Sequence, residues 1–243
     1  MRVLGIDIGG TGIKGAPVDT RRGTLLVRRH RILTPKPATP DAVVDKAAAV
    51  VEFHKWKGSV GVTFPGVVQR GVTLTAVNLD QKWVGVDADD LFTDRLGRSA
   101  HLINDADAAG LAEMKFGAGK DRKGVVIVIT LGTGIGTAVF LDGKLLPNTE
   151  LGHIEMNGRD AELQAAERVR IEQNLSWKKW AKRLDDYLAR LELYLRPDLF
   201  ILGGGASQDA DRFVPRLNRE AEVVPAGLLN DAGIVGAALA FES

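Results

Sequence analysis

A glycine-rich segment near the start of the chain combines a flexible backbone with side chains that suit an anion. Residues 7–15 read D-I-G-G-T-G-I-K-G and follow an apolar run that predicts a strand. Glycines let backbone N–H groups turn toward a phosphate, the threonine adds a hydroxyl and the lysine adds a cation. The carboxylate of Asp7, at the strand end, is placed to hold Mg²⁺ through water. The predicted phosphate contacts of this segment are Gly9, Gly10, Thr11, Gly12 and Lys14.

A second segment repeats this chemistry later in the chain. Residues 131–137 read L-G-T-G-I-G-T and stand between two apolar runs, which predicts a strand, a turn and a strand. Neither segment opens a helix, so neither is a Walker loop or a dinucleotide-binding fingerprint. A glycine-rich hairpin explains either one alone, but two loops that can hold successive phosphates favour phosphate binding. The predicted contacts here are Gly132, Thr133 and Gly134.

An asparagine and an aspartate lie between a predicted strand and a predicted helix. In Asn104-Asp105 the carboxylate could accept the proton of an attacking hydroxyl, while the amide orients a second hydroxyl. An Asx helix cap is the commoner role of an isolated pair of this kind. The residues alone leave both interpretations open.

Four further polar positions are candidates for binding a polyhydroxyl ligand. Glu150 and His153 stand three residues apart, which lets both side chains point to one face and bind vicinal hydroxyls. For His153 taken alone, a structural role is the commoner one. Asn78 could be a ligand contact or a turn residue before a surface tryptophan, Trp83. Glu162 lies in a segment that could also be the charged face of a helix.

Composition limits the class of protein. The 243 residues are 45% hydrophobic and 26% charged, with a net charge of +1 that gives no global field for nucleic acid or membrane binding. The absence of cysteine excludes disulfides and thiolate metal sites, and it fits the cytoplasm. Residues 124–141 carry no charge but are too rich in glycine and threonine for a membrane helix, so strand-turn-strand explains them better.

The elements that must position these residues alternate between strands and helices, which predicts an α/β protein. Apolar periodicity predicts strands over 3–8, 13–18, 25–33, 59–64, 100–103 and 199–202. It predicts helices over 41–56, 89–96, 105–116, 161–173, 177–195, 210–217 and 231–241. Glycine turns between strands occur in both halves of the chain, as two duplicated halves facing one cleft would produce.

Taken together, these motifs resemble the ROK family (repressor, open reading frame, kinase) over nearly the whole chain. Residues 7–15 and 131–137 resemble the family's two phosphate motifs, and residues 202–207 resemble its segment near the nucleotide base. The resemblance implies the actin-like ATPase (ribonuclease H-like) fold, with duplicated α/β domains around a central cleft. We expect a domain of residues 1–105, joined by the helix at 230–243, and a second domain of residues 106–229.

The resemblance also implies roles for the candidate residues. Kinases of the family place their catalytic base at the position of Asp105 and their sugar-binding Glu and His at Glu150 and His153. Asn78 looks like a further sugar contact, and the amide of Asn104 is expected to orient a sugar hydroxyl.

The implied cofactor is Mg²⁺. Most members carry a cysteine-rich zinc loop after the histidine, and this chain has no cysteine, so no zinc is expected. If that loop is shortened, Glu162 replaces the glutamate that normally follows it.

Within the family, the zinc-less form and the sequence G-I-K-G-A after the first motif resemble the actinobacterial polyphosphate-using glucokinases. This implies a cytoplasmic homodimer that transfers a phosphoryl group from inorganic polyphosphate, and also from ATP, to the 6-hydroxyl of glucose. Basic clusters at 178–183 and 115–123 are candidates for a polyphosphate groove, with solvated faces as the alternative.

Two rival functions follow from the same family. One is an ATP-dependent kinase of glucose, mannose or an N-acetylhexosamine. The other is a sugar-sensing repressor, which would carry a helix-turn-helix domain before a phosphate motif that here begins at Asp7. We therefore expect an enzyme.

Overall fold

The computed structural model describes residues 1–76 and 78–242. Its strands are β1 (Arg2–Ile8), β2 (Ile13–Asp19), β3 (Thr24–Leu25), β4 (His30–Ile32), β5 (Val60–Phe64), β6 (Val68–Gln69), β7 (Val72–Thr73), β8 (Ala100–Asn104), β9 (Val125–Leu131), β10 (Ile135–Leu141), β11 (Lys144–Leu146), β12 (Glu155–Met156), β13 (Arg159–Asp160), β14 (Leu199–Gly204) and β15 (Glu222–Pro225). Its α-helices are α1 (Pro40–Phe53), α2 (Ala88–Leu96), α3 (Asp105–Phe116), α4 (Glu162–Ala165), α5 (Glu167–Glu172), α6 (Trp177–Leu195) and α7 (Ala232–Ala240).

The chain forms two compact units that share one sheet topology. The first unit contains Met1–Ala112 and the segment from Asp231 onward, and the second contains Glu113–Asn230. The sheet of the first has the order β3-β2-β1-β5-β8, with β4 also paired to β2, and the sheet of the second has the order β11-β10-β9-β14-β15. In each sheet an antiparallel hairpin is followed by parallel strands. Each predicted phosphate segment is the turn of its unit's leading hairpin.

The domain division predicted at residues 105/106 stays a prediction. Clustering of residue contacts places the first boundary between the two units after Ala112, inside α3.

No helix of residues 1–76 and 78–242 is both long and apolar enough to cross a membrane.

Strands β1 and β5 are buried on both faces over nearly their whole length, as strands covered by helices must be. Every residue of β5 is buried, including its one polar side chain, Thr63. Helix α7 packs across β1 and β5, where a Cβ on Gly5 or Gly61 would overlap the backbone carbonyls of Ile234 and Ala237. The two glycines therefore let the helix backbone lie directly on the sheet.

The strand predicted over residues 25–33 is two short strands, β3 and β4. Leu26 donates its N–H to the carbonyl of Pro17, but proline has no N–H with which to continue the ladder. Pairing with β2 resumes only at His30, opposite Gly15.

The single helix predicted over residues 161–173 is also wrong. It breaks at Ala166, whose backbone is extended at φ −60° and ψ 153°. The buried indole Nε1 of Trp180 donates to the carbonyls of Ala165 and Ala166 at 3.0 and 3.2 Å, which compensates for the break. The helix predicted over 210–217 is instead a pair of 3₁₀ segments, Gly205–Arg212 and Val214–Arg216.

Candidate functional site

The first glycine turn is closed by the backbone. The N–H of Gly9 donates to the carbonyl of Gly12 at 3.0 Å, and the hydroxyl of Thr34 donates to the Gly9 carbonyl at 2.5 Å. Asn78 lies against this turn, since a Cβ on Gly10 would stand 3.2 Å from the Asn78 Cβ. The structure therefore brings Asn78 next to the predicted phosphate contacts.

Asp7 is held on both carboxylate oxygens. The hydroxyl of Thr63 donates to Oδ1 at 2.8 Å, and the ammonium of Lys14 lies 3.0 Å from Oδ2. Its side chain is only 17% exposed, and Gly233 of α7 lies beside it because a Cβ there would stand 2.9 Å from Oδ2. The carboxylate is thus fixed in place at the end of β1.

This arrangement fits Mg²⁺ held through water. Among the residues that the structure describes, no cluster of three or more His, Asp or Glu side chains could enclose a metal ion. Mg²⁺ binds with several of its waters retained, often against one or two carboxylates and substrate phosphates. Asp7, with both oxygens already bonded, suits such a contact better than direct coordination.

Asp105 stands at the same edge of the sheet as Asp7. Strands β1, β5 and β8 are parallel, and their register aligns Asp7 with Thr63 and Thr63 with Ile103. Two strand spacings place Asp7 and Ile103 about 10 Å apart, and Asp105 follows two residues later as the first residue of α3. Its side chain is exposed, and its Oδ1 accepts the N–H of Ala106 at 2.8 Å.

Asn104 is the cap of α3. The side chain is buried, its Oδ1 accepts the N–H of Asp107 at 3.0 Å, and its Nδ2 donates to the carbonyl of Gly66 at 3.0 Å. The capping interpretation therefore describes this residue, and these bonds fix where α3 begins and so where Asp105 points. Its role as a sugar contact stays a prediction.

The second glycine turn has a similar closure and a carboxylate beside it. The N–H of Gly132 donates to the carbonyl of Gly134 at 3.1 Å. Oε2 of Glu162 accepts the N–H of Ile135 at 3.3 Å, and a Cβ on Gly134 would stand 2.5 Å from that oxygen. Glycine at this position therefore lets the carboxylate reach the loop.

The turn that carries Glu150 and His153 is docked on β10. A Cβ on Gly152 would overlap the carbonyl of Ile135, so only glycine allows this close contact. The hydroxyl of Thr137 accepts the N–H of Leu151 at 3.1 Å, which fixes the same segment. The second unit thus places this turn beside its own glycine loop.

His153 lies between carboxylates. Its Nδ1 is 2.9 Å from Oδ2 of Asp160, and its Nε2 is 3.8 Å from Oε2 of Glu150. The hydrogen bond to Asp160 raises the pKa of His153, against the opposing effect of burial. Burial raises the pKa of Glu150, and the nearby Glu162 adds to this while His153 opposes it. The imidazole and the carboxyl groups together offer both donors and acceptors to ligand hydroxyls.

Sequence reasoning missed Thr63, which holds Asp7, and Asp160, which holds His153. The signal for Asp160 was present in Asn157-Gly158, a two-residue turn typical of a β-hairpin, which here joins β12 to β13 with φ of 54° and 77°. The interpretation of Trp83 as a surface residue is wrong. It is completely buried, and its Nε1 donates to the carbonyl of Ala38 at 3.0 Å.

The chain is similar to known sugar kinases. The model of the ROK family matches residues 3–166. The polyphosphate glucokinase of Mycobacterium tuberculosis (strain CDC 1551 / Oshkosh) is 51% identical over 238 residues, which are 98% of this chain and 90% of that protein. The crystal structure of inorganic polyphosphate/ATP-glucomannokinase from Arthrobacter sp. strain KM has a TM-score of 0.95 at 50% identity, covering 100% of this chain and 99% of that chain.

A more distant structure agrees with these. A ROK family glucokinase from Streptomyces griseus, in complex with glucose and AMPPNP, has a TM-score of 0.85 at 26% identity and covers 99% of both chains. The actin-like ATPase fold predicted from the motifs is therefore confirmed.

Proposed function

Because the chain belongs to the ROK family, we propose that it transfers the terminal phosphoryl group of inorganic polyphosphate to the 6-hydroxyl of glucose, with ATP as a second donor. Its similarity to the mycobacterial polyphosphate glucokinase and to the Arthrobacter glucomannokinase supports this donor and this acceptor. The observation in the structure that carries the proposal is Asp105, an exposed carboxylate at the sheet edge that also holds Asp7 and the first glycine turn.

The acceptor side of the reaction needs a base and a set of hydroxyl-binding groups. The oxygen of the glucose 6-hydroxyl forms a bond to the terminal phosphorus, its proton passes to the carboxylate of Asp105, and the phosphoanhydride bond breaks. The products are glucose 6-phosphate and a polyphosphate shorter by one unit. The residues proposed to bind the sugar are Asn78, Asn104, Glu150, His153 and Glu162.

The donor side needs positive charge around the phosphoryl group. Backbone N–H groups of the turns at Gly9–Gly12 and Gly132–Gly134, with Lys14, supply hydrogen bonds and charge to the donor oxygens. Mg²⁺ held through water by Asp7 would neutralise part of the donor charge.

Asp105→Asn tests the proposed base. The amide keeps the shape of the side chain but cannot accept the proton, so kcat should fall about 10²- to 10⁴-fold. The melting temperature should stay unchanged because the side chain is exposed. Asp94→Asn, at another exposed aspartate of the first unit, is the matched control. Turnover of the Asp105 variant close to that of the control would refute the assignment.

The donor and the sugar are tested together. Purified protein is assayed with polyphosphate or ATP against glucose, mannose and N-acetylhexosamines, and product is measured as sugar phosphate. Product from glucose with polyphosphate supports the proposal. Product with ATP alone would indicate an ATP-dependent hexose kinase instead.

We also infer a cytoplasmic homodimer. The cysteine-free sequence supports a reducing compartment, and the dimer rests on the family resemblance. Sedimentation equilibrium would test the dimer, and a mass near 26.1 kDa would contradict it.

A further inference from the structure

A second cation lies beside the first glycine turn. Strand β4 pairs with β2 so that Arg31 stands opposite Lys14. The guanidinium of Arg31 lies against Gly12, since a Cβ on that glycine would stand 2.7 Å from Nε and 2.9 Å from Nη2. Its Nη2 also donates to the carbonyl of Thr11 at 3.4 Å. Two long basic side chains therefore converge on one short turn.

The two cations differ in what already neutralises them. Lys14 is paired with Asp7 at 3.0 Å and is largely buried, with 26% of its side chain exposed. Arg31 is exposed, and within residues 1–76 and 78–242 it makes no ion pair. Within those residues the guanidinium makes one hydrogen bond, which is long and goes to a neutral carbonyl, so most of its five N–H donors can bind a ligand.

The position suits a phosphate chain rather than the sugar. A guanidinium presents its donors as a planar fork that matches two phosphate oxygens, and phosphate bound at the Gly9–Gly12 backbone would lie within reach of such a fork. Gly12 has no side chain that would separate the guanidinium from the turn. Inorganic polyphosphate carries charge on every unit, so a cation beside the turn adds affinity for the donor without any contact to a nucleobase.

We propose that Arg31 binds the donor's phosphates at the first glycine turn, as a residue that sets donor affinity. This inference rests on the proposed function, and it assigns Arg31 no part in proton transfer. At this turn the charge of Lys14 is partly neutralised by Asp7, so Arg31 adds the less compensated charge that attracts the polyanion.

Arg31→Gln tests the inference by kinetics and binding. A hydrogen-bonded charge pair of this kind changes affinity about tenfold or more, so KM for polyphosphate should rise by that factor while KM for glucose and kcat stay within about twofold. Isothermal titration with polyphosphate alone should show the same loss of affinity. Each cation that contacts a phosphate adds to the salt dependence of binding. Because the variant has lost one such cation, its KM for polyphosphate should also depend less steeply on ionic strength.

Two variants accompany the test. Arg28→Gln removes the same charge from an exposed arginine that precedes β4 and, among the described residues, has no partner on β2, and it should leave both KM values unchanged. Arg31→Lys keeps a cation but loses the fork, so it should recover only part of the affinity.

The outcomes separate this inference from the proposed function. If wild type uses polyphosphate and Arg31→Gln keeps its KM and salt dependence, the Arg31 proposal is overturned while the function stands. If wild type uses ATP alone, polyphosphate as donor is wrong, and Arg31 is judged by the same comparison with ATP. An equal rise in the KM for glucose would indicate a general structural defect and would also overturn the proposal.

Discussion

The hydroxyl of Thr63 should matter for both stability and catalysis. It donates to Oδ1 of Asp7 at 2.8 Å and accepts the N–H of Ile8 at 3.1 Å, and the residue is completely buried. Thr63→Val replaces the hydroxyl with a methyl group of similar size. The change removes both bonds without creating a cavity.

The expected cost follows from those two bonds. Loss of a hydrogen bond to a carboxylate costs about 2 kcal/mol, and the buried N–H of Ile8 left without an acceptor costs about 1 kcal/mol more. The free energy of unfolding of the first unit should therefore fall by about 3 kcal/mol. Among the described residues, Asp7 would keep Lys14 alone as a side-chain partner, so the Mg²⁺ concentration for half-maximal rate should rise.

Urea denaturation followed by intrinsic fluorescence measures the first effect, and kinetics at varied Mg²⁺ measures the second. Thr63→Ser is the control, because it keeps the hydroxyl and loses one methyl group, at a cost of about 1 kcal/mol. If the valine variant is no less stable than the serine variant and needs no more Mg²⁺, the hydroxyl does not hold Asp7 and the reasoning is refuted.

Three further results are expected. Asp160→Asn removes the main cause of the raised pKa of His153, so the ring should titrate at lower pH by NMR, and an unchanged titration would show that Asp160 does not hold it. Asp89 raises the pKa of His101, so this pair stabilises the fold fully below about pH 6.5 and its contribution is lost as the pH rises through the higher folded value. His101→Gln should therefore flatten the decline in melting temperature above pH 6.5, and a decline equal to that of wild type would count against the pair. In Gly152→Ala the added methyl group would overlap the backbone of β10, so the KM for glucose should rise more than in Gly158→Ala, at an exposed hairpin turn. Equal effects on this KM would contradict the close packing of the Glu150–His153 turn on β10.

The parts of the fold that follow a short-range pattern were predictable. Helix α6 was predicted at its observed bounds because its apolar residues recur at helical spacing over 19 residues. The first glycine turn was predictable because the glycines stand between two strand-like runs. Strand β15 was missed, since four residues ending in proline carry too little pattern, and its place is set by pairing with the preceding strand, β14.

The candidate site was predictable at its motifs and less so around them. Asp7 and Asp105 are recognisable because each ends a strand or follows one. Thr63 becomes a partner of Asp7 only through the register of β1 with β5, which local sequence does not specify. Arg31 stands in a run of basic residues with no distinguishing pattern, and only the pairing of β4 with β2 places it at the turn.

The packing of α7 on β1 and β5 has a consequence for how the protein is made. Strand β1 is synthesised before the second unit, but the helix that covers β1 is translated only after the whole of that continuous unit. The second unit can therefore fold on the ribosome while the first waits, the reverse of the usual order in which the earlier domain folds first. Until translation has passed α7, the sheet face that this helix covers stays exposed, and Asp7 lacks its neighbour Gly233.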